Sequence, residues 1–167
     1  HQVRQDQSLQ YCKVNRLLDE AVGEVRRISH DMITVALARF GLVKAMEDLC
    51  DSVRLHGRLA VELNMHGLER RMERSREITV YRIVQELISN VLKHAQASEL
   101  SVGITRVPGR ISVIVSDDGR GFDPKTVVHG IGLDNVRARA ASIGALVRID
   151  STPGRGTTIS VEGPVVE

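Results

Sequence analysis

Apolar positions along this chain repeat with two different periods, and the change-overs between them mark the elements. Val14, Leu17, Ala21, Val25, Ile28 and Met32 recur at spacings of three and four, the stripe of a helix that pairs with others in a bundle. That predicts a helix near 8–33, followed by a short helix around 41–56. From 58 to 65 the period falls to two, with Leu59, Val61, Leu63 and Met65 turned to one side of a strand. The helical period returns over 76–95, where Ile78, Val80, Ile83, Val84, Leu87, Val91 and Leu92 make one face. A hairpin then joins 99–106 to 110–116 through Val107-Pro108-Gly109. A helix at 132–143 turns Leu133, Val136, Ala140 and Ile143 inward, with Gly144 where a C-terminal cap belongs. A last hairpin pairs 145–151 with 157–162 through Thr152-Pro153-Gly154. Helices grouped together and strands joined by hairpins predict an α+β two-layer sandwich.

The polar side of the 76–95 helix carries chemistry. Glu86, Asn90 and His94 are spaced four apart, and Lys93 follows Asn90 by three, which places them on one stripe. A carboxylate, a neutral oxygen and an ammonium together suit a metal-bound polyphosphate. Mg²⁺ keeps several waters and takes one or two protein oxygens besides those of phosphate, so Asn90 alone suffices as a ligand. Lys93 fits as a point charge on a phosphate. The same stripe also fits a plain solvated helix face. Arg82 and Gln85 decorate the helix with no role assigned.

Two glycine-bearing turns follow. Ile111, Val113 and Val115 alternate with Ser112, Ile114 and Ser116 in a strand that runs into Asp117-Asp118-Gly119-Arg120-Gly121-Phe122. A carboxylate at a strand mouth, with glycines beyond it, lets backbone approach a flat ligand because no Cβ intervenes. Asp117 is placed to accept a hydrogen bond from an exocyclic amine such as that of adenine, although Asp-Gly is also an ordinary acidic turn. The second turn, Gly130-Ile131-Gly132-Leu133-Asp134-Asn135, opens a helix, where free N–H groups and the dipole attract an anion. It is neither a dinucleotide-binding fingerprint nor a Walker loop, since the spacing is wrong for the first and no Gly-Lys-Ser/Thr occurs.

In this order the three segments resemble the N, G1 and G2 boxes of the ATPase superfamily shared by histidine kinases, DNA gyrase, heat-shock chaperones and mismatch-repair proteins. Gly154-Arg155-Gly156-Thr157 resembles the closing Gly-x-Gly-Thr segment of the histidine kinases. The stretch RRISHDMITVALARFGLVKAMEDLC at 26–50 resembles the end of the second dimerisation helix in the DesK/NarX-like class. The resemblance covers about 14–163. It implies a Bergerat-type ATP-binding fold, a mixed sheet covered on one face by helices, preceded by one helix of a dimerisation bundle. It also implies ATP and Mg²⁺ as ligands. Asn90 would hold the metal, Glu86 matches the N-box acid, and Lys93 and His94 would lie near the phosphates. Asp117 would bind the adenine amine, Gly119 and Gly121 would line the base pocket, Gly130, Gly132 and Leu133 would border the nucleotide, and Thr157 would close the base side. The catalytic set so implied is Glu86, Asn90 and Lys93.

Three features depart from the family's pattern. Only Asp123 to His129 separate Phe122 from Gly130, so the lid is short, as suits the DesK/NarX-like class. Thr34 stands where that class often has proline. The first dimerisation helix, with its phosphate-accepting histidine, is expected to lie outside this chain. Ser29-His30-Asp31 imitates an acceptor box, but His30 stands only 60 residues (90 − 30) before Asn90. It is read instead as a helix-end histidine at the negative pole of the dipole.

Composition narrows the rest. With two Tyr, two Phe and no Trp among 167 residues, the core must be aliphatic. The formal charge of +2, from 23 basic and 21 acidic residues, gives no nucleic-acid footprint. The basic run Arg70-Arg71-Met72-Glu73-Arg74-Ser75-Arg76 is read as a solvated linker or helix start. Cys12 and Cys50 are too few for a disulfide framework and lack metal-ligand spacing, which fits a reducing compartment. No apolar run reaches membrane-span length and no signal peptide is evident. A cytoplasmic location, with a membrane-bound parent allowed, is expected. The expected organisation is a partial dimerisation helix and connector over 1–56 and a catalytic ATP-binding domain over 57–167.

The expected function is phosphoryl transfer from ATP to a histidine, for relay to an aspartate of a response regulator in a two-component system, the parent being a homodimer. Two rivals share the fold. An anti-sigma-type serine kinase would lack the helix at 9–33. A non-catalytic dimerisation module would not need Asn90, Asp117, Gly119, Gly121, Gly130 and Gly132 together.

Overall fold

Why the strands lie where they do is clearest from the alternation in the two hairpins. The computed structural model describes residues 35, 37–55, 59–125 and 131–165. The chain forms two compact units, 1–36 and 37–167, and the sheet with its helices belongs to the second. The helix expected at 8–33, His30, Thr34 and Cys12 lie outside the described residues.

The described elements are α1 (37–55), β1 (Ala60–His66), α2 (Arg74–Asn90) ending in a π-helical turn (Val91–Ala95), β2 (Glu99–Val107), β3 (Arg110–Asp117), α3 (Ile131–Ser142), β4 (Leu146–Ser151) and β5 (Thr157–Pro164). The strands make one five-stranded sheet in the order β1-β2-β3-β5-β4. β1 pairs parallel to β2, and the other pairs are antiparallel. The sheet is therefore mixed and the architecture α+β, as expected.

Register puts Ile104, Val113 and Val161 in one row and Val102, Val115 and Ile159 in the next, with Leu100 and Ile111 on the same face, all buried. Val80, Ile83, Val84, Leu87 and Ile88 of α2 and Val136 and Ala140 of α3 are buried as well, α2 packing on β3 and α3 on β4. Burial at about 25 cal/mol per Å² of apolar surface makes this aliphatic layer the main stabilising term. The opposite sheet face is polar: Ser116 and Thr158 pair through their hydroxyls at 2.8 Å.

Three arginines fasten the edges. Arg54 on α1 donates to the Val61 carbonyl from Nε at 3.0 Å and Nη2 at 2.8 Å, covering part of the β1 edge. Arg76 donates to the carbonyls of Pro164 at 2.7 Å and Ile143 at 3.3 Å, so a cation closes the C-terminal side of α3. Arg71 corrects the reading of the basic run. It grips Glu77, a carboxylate only 2% exposed, through Nε at 2.8 Å and Nη2 at 2.6 Å. A buried carboxylate needs such partners, and a linker arginine supplies them.

Two element bounds differ from the sequence reading. α1 is already helical at residue 37 and runs through Gly41 at φ +84. The motif helix leaves α geometry at Val91, and Leu92 is then 54% exposed rather than part of the apolar face.

Candidate active site

The C-terminal end of α2 is where sequence and geometry first diverge. An α-helix would set His94 directly above Asn90, but the π turn over Val91–Ala95 widens the spiral there. The helix then stops at Gln96, which adopts a left-handed φ of +54. Lys93 and His94 are exposed and swing toward the mouth of β3. A cavity of about 620 Å³ opens at this point. Its wall includes Glu86, Asn90, Lys93 and His94 from α2 and its π turn, Asp117 from β3, and Thr157 from β5. Gly121 and, from α3, Gly132 and Leu133 complete the predicted set that the cavity brings together.

Gly119 stands behind the wall rather than on it. A Cβ there would lie 2.4 Å from the Ala95 carbonyl oxygen, so only glycine lets the turn close on the end of α2. Gly119 N–H donates to Asp117 Oδ1 at 2.9 Å, which orients the carboxylate. Gly156 makes the matching approach from the other side. At φ +76, its Cβ would sit 2.0 Å from the Asp117 carbonyl oxygen. Gly130 lies outside the described residues.

Asp117 and Asp118 are adjacent and titrate in opposite directions. Burial pushes the Asp117 carboxyl above the ordinary carboxylate value, against the backbone N–H groups of Gly119 and Thr157 that favour its charged form. Asp118 points outward and takes the N–H groups of Ser98 and Glu99, each at 2.8 Å, and these bonds, Glu99's first, hold its carboxyl down. Asp118 therefore ties the start of β2 to the turn, while Asp117 faces the cavity.

Thr157 is placed by a short hydroxyl chain. Ser151 Oγ and Thr157 Oγ1 lie 2.9 Å apart, and Ser151 Oγ also accepts from Phe122 N–H at 2.9 Å. The chain links β4 and β5 to the first residue after the glycine turn.

The start of α3 presses on the polar stripe of α2. A Cβ on Gly132 would lie 2.7 Å from Glu86 Oε1 and 3.0 Å from Asn90 Oδ1. Asn90 Nδ2 is buried with no hydrogen-bond partner among the described residues, a costly state unless a ligand completes it. Lys93 likewise makes no ion pair among the described residues. The donor set fits Mg²⁺ with a polyphosphate: one amide oxygen, one carboxylate and a free amide N–H to meet phosphate oxygen. No group of three or more His, Cys, Asp or Glu among the described residues could hold a metal by itself.

Residues 75–167 match the model of the histidine kinase-, DNA gyrase B- and HSP90-like ATPases, more than half of the chain. The chain belongs to this family. Among its relatives, the signal transduction histidine-protein kinase/phosphatase DegS of Brevibacillus brevis is 29% identical over 153 residues, covering 91% of this chain and 40% of the relative. The sensor histidine kinase MctS of Rhizobium johnstonii is 33% identical over 151 residues, covering 88% and 32%. Among solved structures, the blue-light activated histidine kinase EL346 of Erythrobacter litoralis superposes with a TM-score of 0.72 at 17% identity, covering 88% of this chain and 50% of that one. That likeness concerns the fold. This chain carries the ATP-binding catalytic domain of a sensor histidine kinase of the DesK/NarX-like class. It spans less than half the length of these curated relatives. Among the described residues no helix is long and apolar enough to cross a membrane.

The sequence reading missed part of the wall. Arg120 and Phe122 line the cavity beside the predicted residues. Their signal was present, since both flank Gly121 in the first turn, but the glycines drew the attention and the side chains between them were left unassigned.

Proposed function

We propose that the chain binds ATP with Mg²⁺ in this cavity and delivers the γ-phosphoryl group to a histidine, for relay to a response-regulator aspartate. The observation that carries the reading is the convergence on one cavity of Asp117, the Asn90 amide and the Lys93 cation, the last two without a side-chain partner among the described residues. Asp117, oriented by the Gly119 N–H, accepts from the adenine amine, with Gly121 admitting the flat base and Thr157 closing its side. Asn90, with Glu86 beside it, would hold the metal, which would supply positive charge to offset that of the phosphates. Lys93 and His94 hold the phosphates from the π turn, and Gly132 with the first N–H groups of α3 meets them from the other side. Phosphoryl transfer needs little covalent help, so these residues act by positioning and charge stabilisation. The P–O bond to the leaving ADP breaks as a P–N bond forms to the acceptor imidazole, whose helix this reading places outside these residues. Residues 1–56 would serve as partial dimerisation helix and connector, and 57–167 as the catalytic domain. The parent would act as a homodimer in the cytoplasm or on its membrane face.

The test is calorimetric titration with a non-hydrolysable ATP analogue, with and without Mg²⁺. Binding that requires Mg²⁺ and is lost in Asp117→Ala is expected. Absence of binding under every condition would overturn the reading.

A further inference from the structure

We propose that Arg120 is a base-recognising residue of this site, its planar guanidinium stacking on the face of the purine whose edge Asp117 engages. The proposal rests on the ATP reading and deepens it.

The place of Arg120 is fixed by its backbone. Its N–H donates to the Ala95 carbonyl at 2.8 Å, and its own carbonyl accepts from Gly154 N–H at 2.6 Å. Neither neighbour can carry a side chain. A Cβ on Gly119 would lie 2.4 Å from Ala95 O, and one on Gly121 would lie 2.1 Å from Thr152 O. Arg120 thus projects the triplet's one side chain, three residues beyond Asp117 and joined to it through the Gly119–Asp117 hydrogen bond. Its backbone therefore stands between the 152–156 turn, beside the Asp117 and Thr157 that would frame the base, and Ala95 of the π turn.

The side chain itself is exposed and lines the cavity. It makes no ion pair or hydrogen bond among the described residues, although carboxylates stand nearby in sequence. An unpaired arginine at a cavity rim has its planar face available. The wall offers little else for a base to stack on. Phe122 is its one phenyl ring, with the His94 imidazole as the other planar group, while Leu87, Val91, Val115 and Ile159 are aliphatic. A flat cation complements this, because guanidinium stacks on π faces whereas a lysine ammonium acts as a point charge. Lys93 and Arg120, neither in an ion pair among the described residues, then divide the ligand, Lys93 toward phosphate and Arg120 toward base.

The experiment is calorimetry on the 167-residue chain and its Arg120→Ala and Arg120→Lys variants, each titrated with the Mg²⁺-bound ATP analogue, ADP and adenosine. Stacking predicts that both variants lose about tenfold in affinity for all three ligands, with unchanged thermal unfolding. Full recovery in Arg120→Lys, or a loss confined to the phosphate-bearing ligands, would assign a charge contact instead and overturn the proposal. Unchanged affinities in both variants would overturn it too. If the wild-type chain binds none of the three, the ATP reading itself fails and takes this one with it.

Discussion

At the scale of single residues, the pair Asp117 and Asp118 shows how one turn serves both binding and folding. The Asp117 carboxyl is raised by burial. It therefore favours the folded state below the ordinary carboxylate pKa and disfavours it once pH has risen through the raised value. Asp118 is depressed by the Glu99 and Ser98 N–H bonds. Its contribution is present above the ordinary carboxylate pKa and is lost as pH falls through the lower folded value. Asp117→Asn should then unfold at a slightly higher temperature at neutral pH while losing adenosine affinity, a trade expected where function holds a group in an unfavourable place. Thermal melts and adenosine titrations on the same preparation check both halves; an Asn variant that binds normally would deny Asp117 its role. Gly132 offers a second case. A methyl there would meet the flexible ends of Glu86 and Asn90 at 2.7 and 3.0 Å. Gly132→Ala should fold normally but weaken Mg²⁺-dependent binding of an ATP analogue by about tenfold, because both side chains must turn aside. Unchanged Mg²⁺-dependent affinity would show that the stripe is slack. Asp117 and Gly132, which both line the cavity, were legible in the sequence through the order of the three segments, since either turn alone also reads as an ordinary turn. Gly156 was legible only as part of a turn, since its close approach to Asp117 depends on β3 and β5 being neighbours.

Among elements, the sheet was readable because period-two alternation and Pro-Gly turns fix strands, faces and hairpins together. Ile104, Val113 and Val161 fall in one register row, as their alternation requires. What periodicity could not give was the π turn at Val91–Ala95, since one extra residue per turn leaves no mark in an apolar pattern already near its end. The consequence is functional as well as geometric, because this turn carries Lys93 and His94 into the cavity wall while leaving Leu92 outside. Arg76 was equally hidden. A charge at the start of α2 gives no hint that it reaches the carbonyls of Ile143 and Pro164 at the far end of the antiparallel α3. Arg76→Ala should cost about 1 kcal/mol, the combined loss of a charge-assisted bond and a favourable helix-end charge. A urea titration that leaves the midpoint unmoved would show that solvent replaces the arginine without cost.

For the molecule as a whole, the question is what holds α1 to the sheet-bearing body, and the answer converges on one buried carboxylate. Glu77 is 2% exposed. It accepts from Arg71 Nε and Nη2 and from the Met72 backbone N–H, the last at 3.1 Å. The same Arg71 Nη2 donates to the Leu37 carbonyl at 2.8 Å, near the start of α1. Its side chain lies 3.2 Å from where a Cβ of Gly41 would stand, at the φ +84 position inside that helix. One guanidinium thus satisfies a carboxylate in α2, a carbonyl in α1 and the space a glycine leaves open. None of this is visible in sequence spacing, because the partners are brought together by α1 folding back across 34 residues of chain. Removing either charge strands the other partners, but not equally. Glu77→Ala leaves Arg71, whose side chain is half exposed, able to turn into water, and orphans mainly the Met72 N–H. Arg71→Ala leaves a carboxylate buried without its counter-charge, the more costly outcome, about 3 kcal/mol. Urea unfolding of both single variants and the double variant should therefore rank Arg71→Ala as the less stable single change. The double variant should lie close to Glu77→Ala, because once the carboxylate is gone the arginine has little left to satisfy. Equal and additive losses would show instead that the two residues stabilise the fold separately, and that α1 is held by Leu37, Leu42, Met46 and Val53 packing alone.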